Sequence, residues 1–168
     1  MIRPTLLLAF VSSVLPGWAG GSYQPLFVIE RSTNENVVHY DAKVAADGEL
    51  DAREPIVVYW IMAAKDGHRQ ELSFLEKTRA YGITVEPSRV PHSYRIALVS
   101  DRHRNIEVRR QGNEFHAETT IEGRRAYLNE IYVNVRKAWL FTAPDSIEIM
   151  GTDVVTGESL HETIVPGR

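Results

Sequence analysis

From Leu26 to Val165 the chain repeats one pattern: short runs of alternating apolar and polar residues, separated by glycine, asparagine or aspartate. A period of two places successive side chains on opposite faces of a strand, so each run reads as a half-buried β-strand. Leu26 to Ser32 and Val37 to Val44 flank the polar stretch Thr33-Asn34-Glu35-Asn36, which reads as a hairpin connection. In the second run Val38, Tyr40, Ala42 and Val44 share one face, so His39 and Asp41 point away from it. Three later groups alternate in the same way: Tyr94, Ile96 and Leu98; Ile106 and Val108; and Phe115, Ala117, Thr119 and Ile121. Tyr127, Asn129, Ile131, Val133 and Val135 extend the pattern into a longer strand, and Ile147 to Met150 and Leu160 to Val165 close the series around Thr156-Gly157. Gly112-Asn113 fits a two-residue hairpin turn, and Gly123 marks another bend.

Two segments break the alternation. Ile56 to Ala64, after Pro55, is apolar on both faces, the signature of a strand covered on both sides. After the Asp66-Gly67 turn, Arg69 to Tyr81 reads as a helix with Leu72, Leu75 and Arg79 with Ala80 on one stripe and Gly82 as a left-handed cap. Nine or ten antiparallel strands with one helix predict a mainly β fold with a minor α component: an antiparallel β-barrel or two-sheet sandwich with one packed helix.

The first nineteen residues read as a cleavable export signal. Arg3 is the positive region, Thr5 to Leu15 the apolar run, and Gly17-Trp18-Ala19 the small-residue cleavage site. Residues 20–168 then form a single mostly-β domain, released to the periplasm or secreted, with no membrane insertion after signal removal. The chain has no cysteine, so neither disulfides nor thiol chemistry are available to it. With 19 Lys and Arg against 22 Asp and Glu, it carries no global attraction for nucleic acid. The cluster Arg102, Arg104, Arg109 and Arg110 is interleaved with Asp101 and Glu107 and reads as a solvated face.

The stretch from Phe27 to Asp41 (FVIERSTNENVVHYD), Pro55 to Ile61 (PIVVYWI) and Ala80-Tyr81-Gly82 resemble the bacterial DUF4833 family, an exported domain of unknown function. Gly151-Thr152-Asp153, Thr156-Gly157 and Glu162 to Pro166 are similar to that family's end. The resemblance implies one exported domain over essentially the whole mature chain. It brings with it no substrate, catalytic residue or cofactor.

Candidate ligand-binding residues are Glu30, Arg31, Asn34 and Asn36, which gather a carboxylate, a guanidinium and two amides near one hairpin. Tyr40 and Trp60 could line a pocket, and Asn129 sits among apolar residues where a buried amide needs a partner. Each has a plainer reading: Asn at a turn bonds its own backbone, and strand aromatics fill cores. His39 and Asp41 on one strand face lack a third metal ligand at constrained spacing, and no metal or cofactor is expected. Ser100-Asp101-Arg102-His103 holds the three triad residue types, but a triad assembles in space, not along a strand. The expected function is therefore binding of a small apolar or amphipathic ligand, or of an envelope partner; the lack of any catalytic motif leans against an enzyme and leaves the question open. A hydrolase or transferase acting on an envelope component, and a structural interaction protein pairing through a strand edge, are the alternatives.

Overall fold

The computed structural model of the protein describes residues 22–137 and 142–166; the expected export signal lies outside the described residues. Eleven strands form one sheet: β1 Ser22–Arg31, β2 Asn34–Val44, β3 Ile56–Met62, β4 His68–Glu71, β5 Ile83–Pro87, β6 Tyr94–Leu98, β7 Asp101–Gln111, β8 Glu114–Ile121, β9 Arg124–Lys137, β10 Thr142–Asp153 and β11 Ser159–Ile164. One helix, α1 Phe74–Arg79, lies between β4 and β5. The sheet curls strongly into a half-barrel, so of the two expected architectures it is the barrel-like one.

β9 organises the sheet. β10 follows one of its edges from Lys137↔Thr142 to Ala126↔Asp153. The other edge is shared: β8 pairs antiparallel with Arg124 to Tyr127, and β1 pairs in parallel with Glu130 to Val133. Two wings leave from that edge, β1-β2-β3-β4 and β8-β7-β6-β5. Where they part, the Gln24 side chain takes the place of a ladder: its Oε1 accepts from the Phe115 amide at 3.0 Å and its Nε2 donates to the Asn113 carbonyl at 3.5 Å. The handover from β8 to β1 coincides with a bulge. Leu128 pairs with Gly151 and Glu130 with Met150, which leaves Asn129 as an extra residue. Such a residue bends the strand and increases its twist. Gly151 allows the close approach there, since a Cβ would meet the Tyr127 carbonyl oxygen at 2.4 Å and Ile121 Cδ1 at 2.6 Å.

The alternation read from the sequence carries the core. Val38 and Tyr40 from β2, Ile96 from β6, Ile106 and Val108 from β7, Ile121 from β8 and Ile149 from β10 are all fully buried on the inner face. In the first half of β9 the expected face is reversed: Ala126 and Leu128 are buried, not Tyr127 and Asn129. The far edge of the sheet is fastened by side chains. Arg104 Nη1 donates to the Thr120 carbonyl at 2.8 Å, its Nη2 pairs with Glu162 at 3.1 Å, and the Glu122 amide donates to the other Glu162 oxygen. The Arg104 side chain is 10% exposed, which corrects the solvated-face reading at that arginine, whereas Arg102 and Arg110 of the same run are exposed.

Three further expectations change. The helix is six residues long because the Asp66-Gly67 turn, with φ of 79° and 72°, folds His68 to Glu71 back as β4 against β3. It begins at Ser73 in a reciprocal cap: the Ser73 hydroxyl accepts from the Glu76 amide, and the Glu76 carboxylate accepts from the Ser73 amide at 2.8 Å. Leu72 and Tyr81, flanking α1, reach the core, while Phe74 and Leu75 do not. Gly82 is not among the residues with positive φ; it is required because a Cβ would meet the Lys77 carbonyl oxygen at 1.7 Å. β3 buries Ile56 and Trp60 inward, but Val57, Tyr59 and Ile61 are half-buried, so its outer face is only partly covered.

Candidate functional site

A cavity of about 370 Å³ opens on the concave side, between the wings. β1 supplies Ile29 and Arg31, β9 supplies Ile131, Val133 and Val135, β10 supplies Ile147 and Ile149, and Tyr81 closes one side beyond α1. The wall is apolar because these residues continue the inner faces of their strands; the Asn129 bulge resets the phase of β9 so that Ile131 and Val133 point inward after Leu128.

Arg31 is the exception in this wall. It follows Phe27 and Ile29 at intervals of two, so the pleat carries it inward. Its guanidinium carbon lies 4.9 Å from the Trp60 ring centroid and 5.5 Å from that of Tyr81. These two rings meet edge to face, with centroids 5.0 Å apart, and hold the cation electrostatically. Among the described residues no carboxylate forms an ion pair with Arg31, and its Nε is buried without a hydrogen-bond partner. The nearby Glu76 is committed elsewhere, since it caps α1 and accepts from Trp60 Nε1 at 3.1 Å. Burial alone would raise the Glu76 carboxyl, but the Ser73 hydrogen bonds, the Trp60 N–H and the Arg31 charge hold it below the usual carboxylate range. Burial pushes the Tyr81 phenol up against the opposing pull of Arg31, whose guanidinium donates to its oxygen, so it stays neutral at physiological pH. Arg79 and Asp101 stand at the cavity rim, where Asp101 is occupied by the His103 and Arg104 amides.

The other residues singled out in the sequence do not gather around this cavity. Glu30 points to the opposite face from Arg31, near Glu130 and Glu148. Asn34 does turn chemistry, its Oδ1 accepting from the Asn36 amide at 3.1 Å. Tyr40 lies in solid core, stacked on Phe27 and donating to the Tyr81 carbonyl at 2.7 Å. Trp60 is buried and contributes its ring face to Arg31. Asn129 is exposed rather than buried: as the bulge residue it points outward, and its amide donates to Thr152 Oγ1 at 2.9 Å.

On the outer face, His39 and Asp41 do point away from the core strip, yet Asp41 is buried. The Tyr59 hydroxyl donates to it at 2.5 Å, and Arg69 covers the Tyr59 ring at 3.8 Å. A second, charged cavity of about 530 Å³ lies over β7 and β8, where Arg104, Arg109 and Arg125 each have a carboxylate partner: Glu162, Glu118 and Glu118. Its charges already satisfy one another. Ser100, Asp101 and His103 form no triad, because Asp101 caps its own turn. Among the described residues no three His, Asp or Glu side chains group closely enough to hold a metal ion.

Sequence reasoning left the direction of Arg31 open and missed Tyr81 and Arg79. The apolar residues on both faces of β1 hid the first; the second needed the path of the chain after α1, although the run Ala80-Tyr81-Gly82 stood out as a motif. No curated protein and no solved structure matches the chain. One family does, over residues 27–163, and its description is "Domain of unknown function (DUF4833)". The match spans both wings, the bulged central strand and most of β11, and the chain therefore belongs to the DUF4833 family.

Proposed function

We propose that this protein is an exported bacterial domain that binds a small amphipathic anion in its concave cavity. The supporting observation is Arg31: a guanidinium set into an apolar wall, fixed by two aromatic rings and lacking a carboxylate partner among the described residues. A charge held in such surroundings favours an anionic head group, and the valine and isoleucine side chains beyond it favour an alkyl chain. The volume lies within the range of about 300–1,000 Å³ typical of small-molecule sites. Residues 1–19 would direct the domain across the inner membrane, placing it in the periplasm or outside the cell.

Calorimetric titration with laurate tests this reading, with dodecyl maltoside as a neutral-headed control. Laurate should bind and the maltoside should bind more weakly; Arg31→Gln should weaken laurate by about tenfold or more, the size of one lost charge-assisted hydrogen bond. Val133→Trp, which fills the cavity and leaves Arg31 in place, should also abolish binding. Laurate affinity unaffected by either substitution would sink the proposal.

A further inference from the structure

Helix α1 buries none of its residues. Its first two side chains, Phe74 and Leu75, are 78% and 65% exposed. The segment is held instead by its cap, by the Trp60 bond to Glu76 and by the Tyr81 carbonyl, so neither apolar side chain is needed to secure it. A short helix that turns Phe and Leu outward while polar groups anchor it presents an apolar surface to something other than its own core.

The position of this pair relative to the cavity is informative. Arg79, Ala80 and Tyr81, at the other end of α1, form part of the cavity wall. Arg79 is exposed and, like Arg31, forms no ion pair among the described residues. The apolar pair is thus followed within one short helix by a cation at the cavity rim. Two side chains are far too little surface for a stable protein interface, which needs about 20–30 residues a side, whereas at an anionic lipid surface shallow apolar insertion and cation attraction add. Asp101, at the same rim, is taken up by the His103 and Arg104 amides and the Arg104 guanidinium, which leaves Arg79 as the cation facing outward.

We propose that Phe74 and Leu75 dock the protein on an anionic lipid surface, with Arg79 against the head groups, so that the cavity mouth meets the bilayer and takes its ligand from it. The contact is interfacial; among the described residues no helix is long and apolar enough to cross a membrane. The second part of this inference rests on the amphipathic-anion reading of the cavity; the docking itself does not.

Flotation of the signal-free chain with phosphatidylcholine vesicles, with and without phosphatidylglycerol, tests it. The protein should float with the anionic vesicles and much less with the neutral ones. Phe74→Ser combined with Leu75→Ser should reduce that association about tenfold or more, from the lost apolar burial alone. The same variant should bind soluble laurate as the unsubstituted chain does, which also shows that it is folded. Phe74→Trp should add a blue-shifted emission component when anionic vesicles are present. Vesicle binding that ignores the double substitution, or no vesicle binding at all, overturns the docking proposal. So would a dimer on a sizing column that the double substitution dissociates, because the patch would then be a self-interface. Laurate binding without vesicle binding would remove the docking and leave the cavity reading intact; vesicle binding without laurate binding would do the reverse.

Discussion

Tyr40 carries a hydroxyl into the fully buried part of the core, where its ring stacks on Phe27 with centroids 4.3 Å apart. The hydroxyl is satisfied because the chain leaving α1 brings the Tyr81 carbonyl to 2.7 Å, and burial raises the phenol far above its ordinary range. Replacing it with phenylalanine leaves that carbonyl buried without a donor. Tyr40→Phe is therefore expected to cost about 1–3 kcal/mol in urea unfolding, with an unchanged m-value. Since Tyr81 also forms part of the cavity wall, the same substitution should loosen the ring that holds Arg31 and weaken laurate binding. A stability change below a few tenths of a kcal/mol would show that the hydroxyl does not tie β2 to this segment. Arg31 itself illustrates why a residue's face is hard to read in a central strand. β1 has partners on both edges and apolar residues on both faces, and Leu26 and Phe27 are buried side by side, so alternation alone gives no direction. By contrast, β6 and β8 each bury one apolar strip whose residues were legible position by position, although β8 also buries Glu118 on its other face.

At the level of elements, the bulge in β9 is the decisive local event. It separates the segment paired with β8 from the segment paired with β1, and it brings Ile131 and Val133 into the cavity wall. Its backbone should matter more than its side chain. Asn129→Ala, which removes the bond to Thr152 and keeps the extra residue, should change stability by no more than about 0.5 kcal/mol, as at an ordinary surface position. Deleting Asn129 should destabilise the domain and disturb the cavity, because the bend at which β8 gives way to β1 is lost. Thermal melting of both variants checks this; a deletion as mild as the alanine substitution would show that the bulge is dispensable. The bulge was not legible because it depends on register against β10, and a single strand read alone continues its period of two through Asn129. The short helix has a similar explanation. Leu72, Leu75 and Ala80 fit a helical stripe in sequence, but the tertiary pairing of β4 with β3 takes its first turn and the close approach at Gly82 ends it.

In the molecule as a whole, charge is distributed unevenly between the two faces of the sheet. The concave side holds Arg31, which has no carboxylate partner among the described residues, while the outer face of β1, β9 and β10 brings Glu30, Glu130 and Glu148 together. Burial, then the neighbouring Glu30 and Glu148 charges, raise the Glu130 carboxyl above its ordinary value. A carboxyl raised on folding is best accommodated in its neutral form: its penalty is absent below the unfolded value of about 4.3 and grows as pH rises through the folded one. Glu130→Gln is expected to raise the melting temperature at pH 7 and to lose that advantage near pH 4; an advantage independent of pH would exclude repulsion as its cause. The shared edge of β9 also has a consequence in time. The Ser32 hydroxyl accepts from the Val135 amide across 103 positions, and the parallel pair beside it spans a comparable stretch of chain. One edge of β1 must stay open until β9 has been made, so completion of the fold is a late and slow event, as for other long-range pairings. If residues 1–19 export the chain, as proposed above, that delay would keep it threadable until it has crossed the membrane.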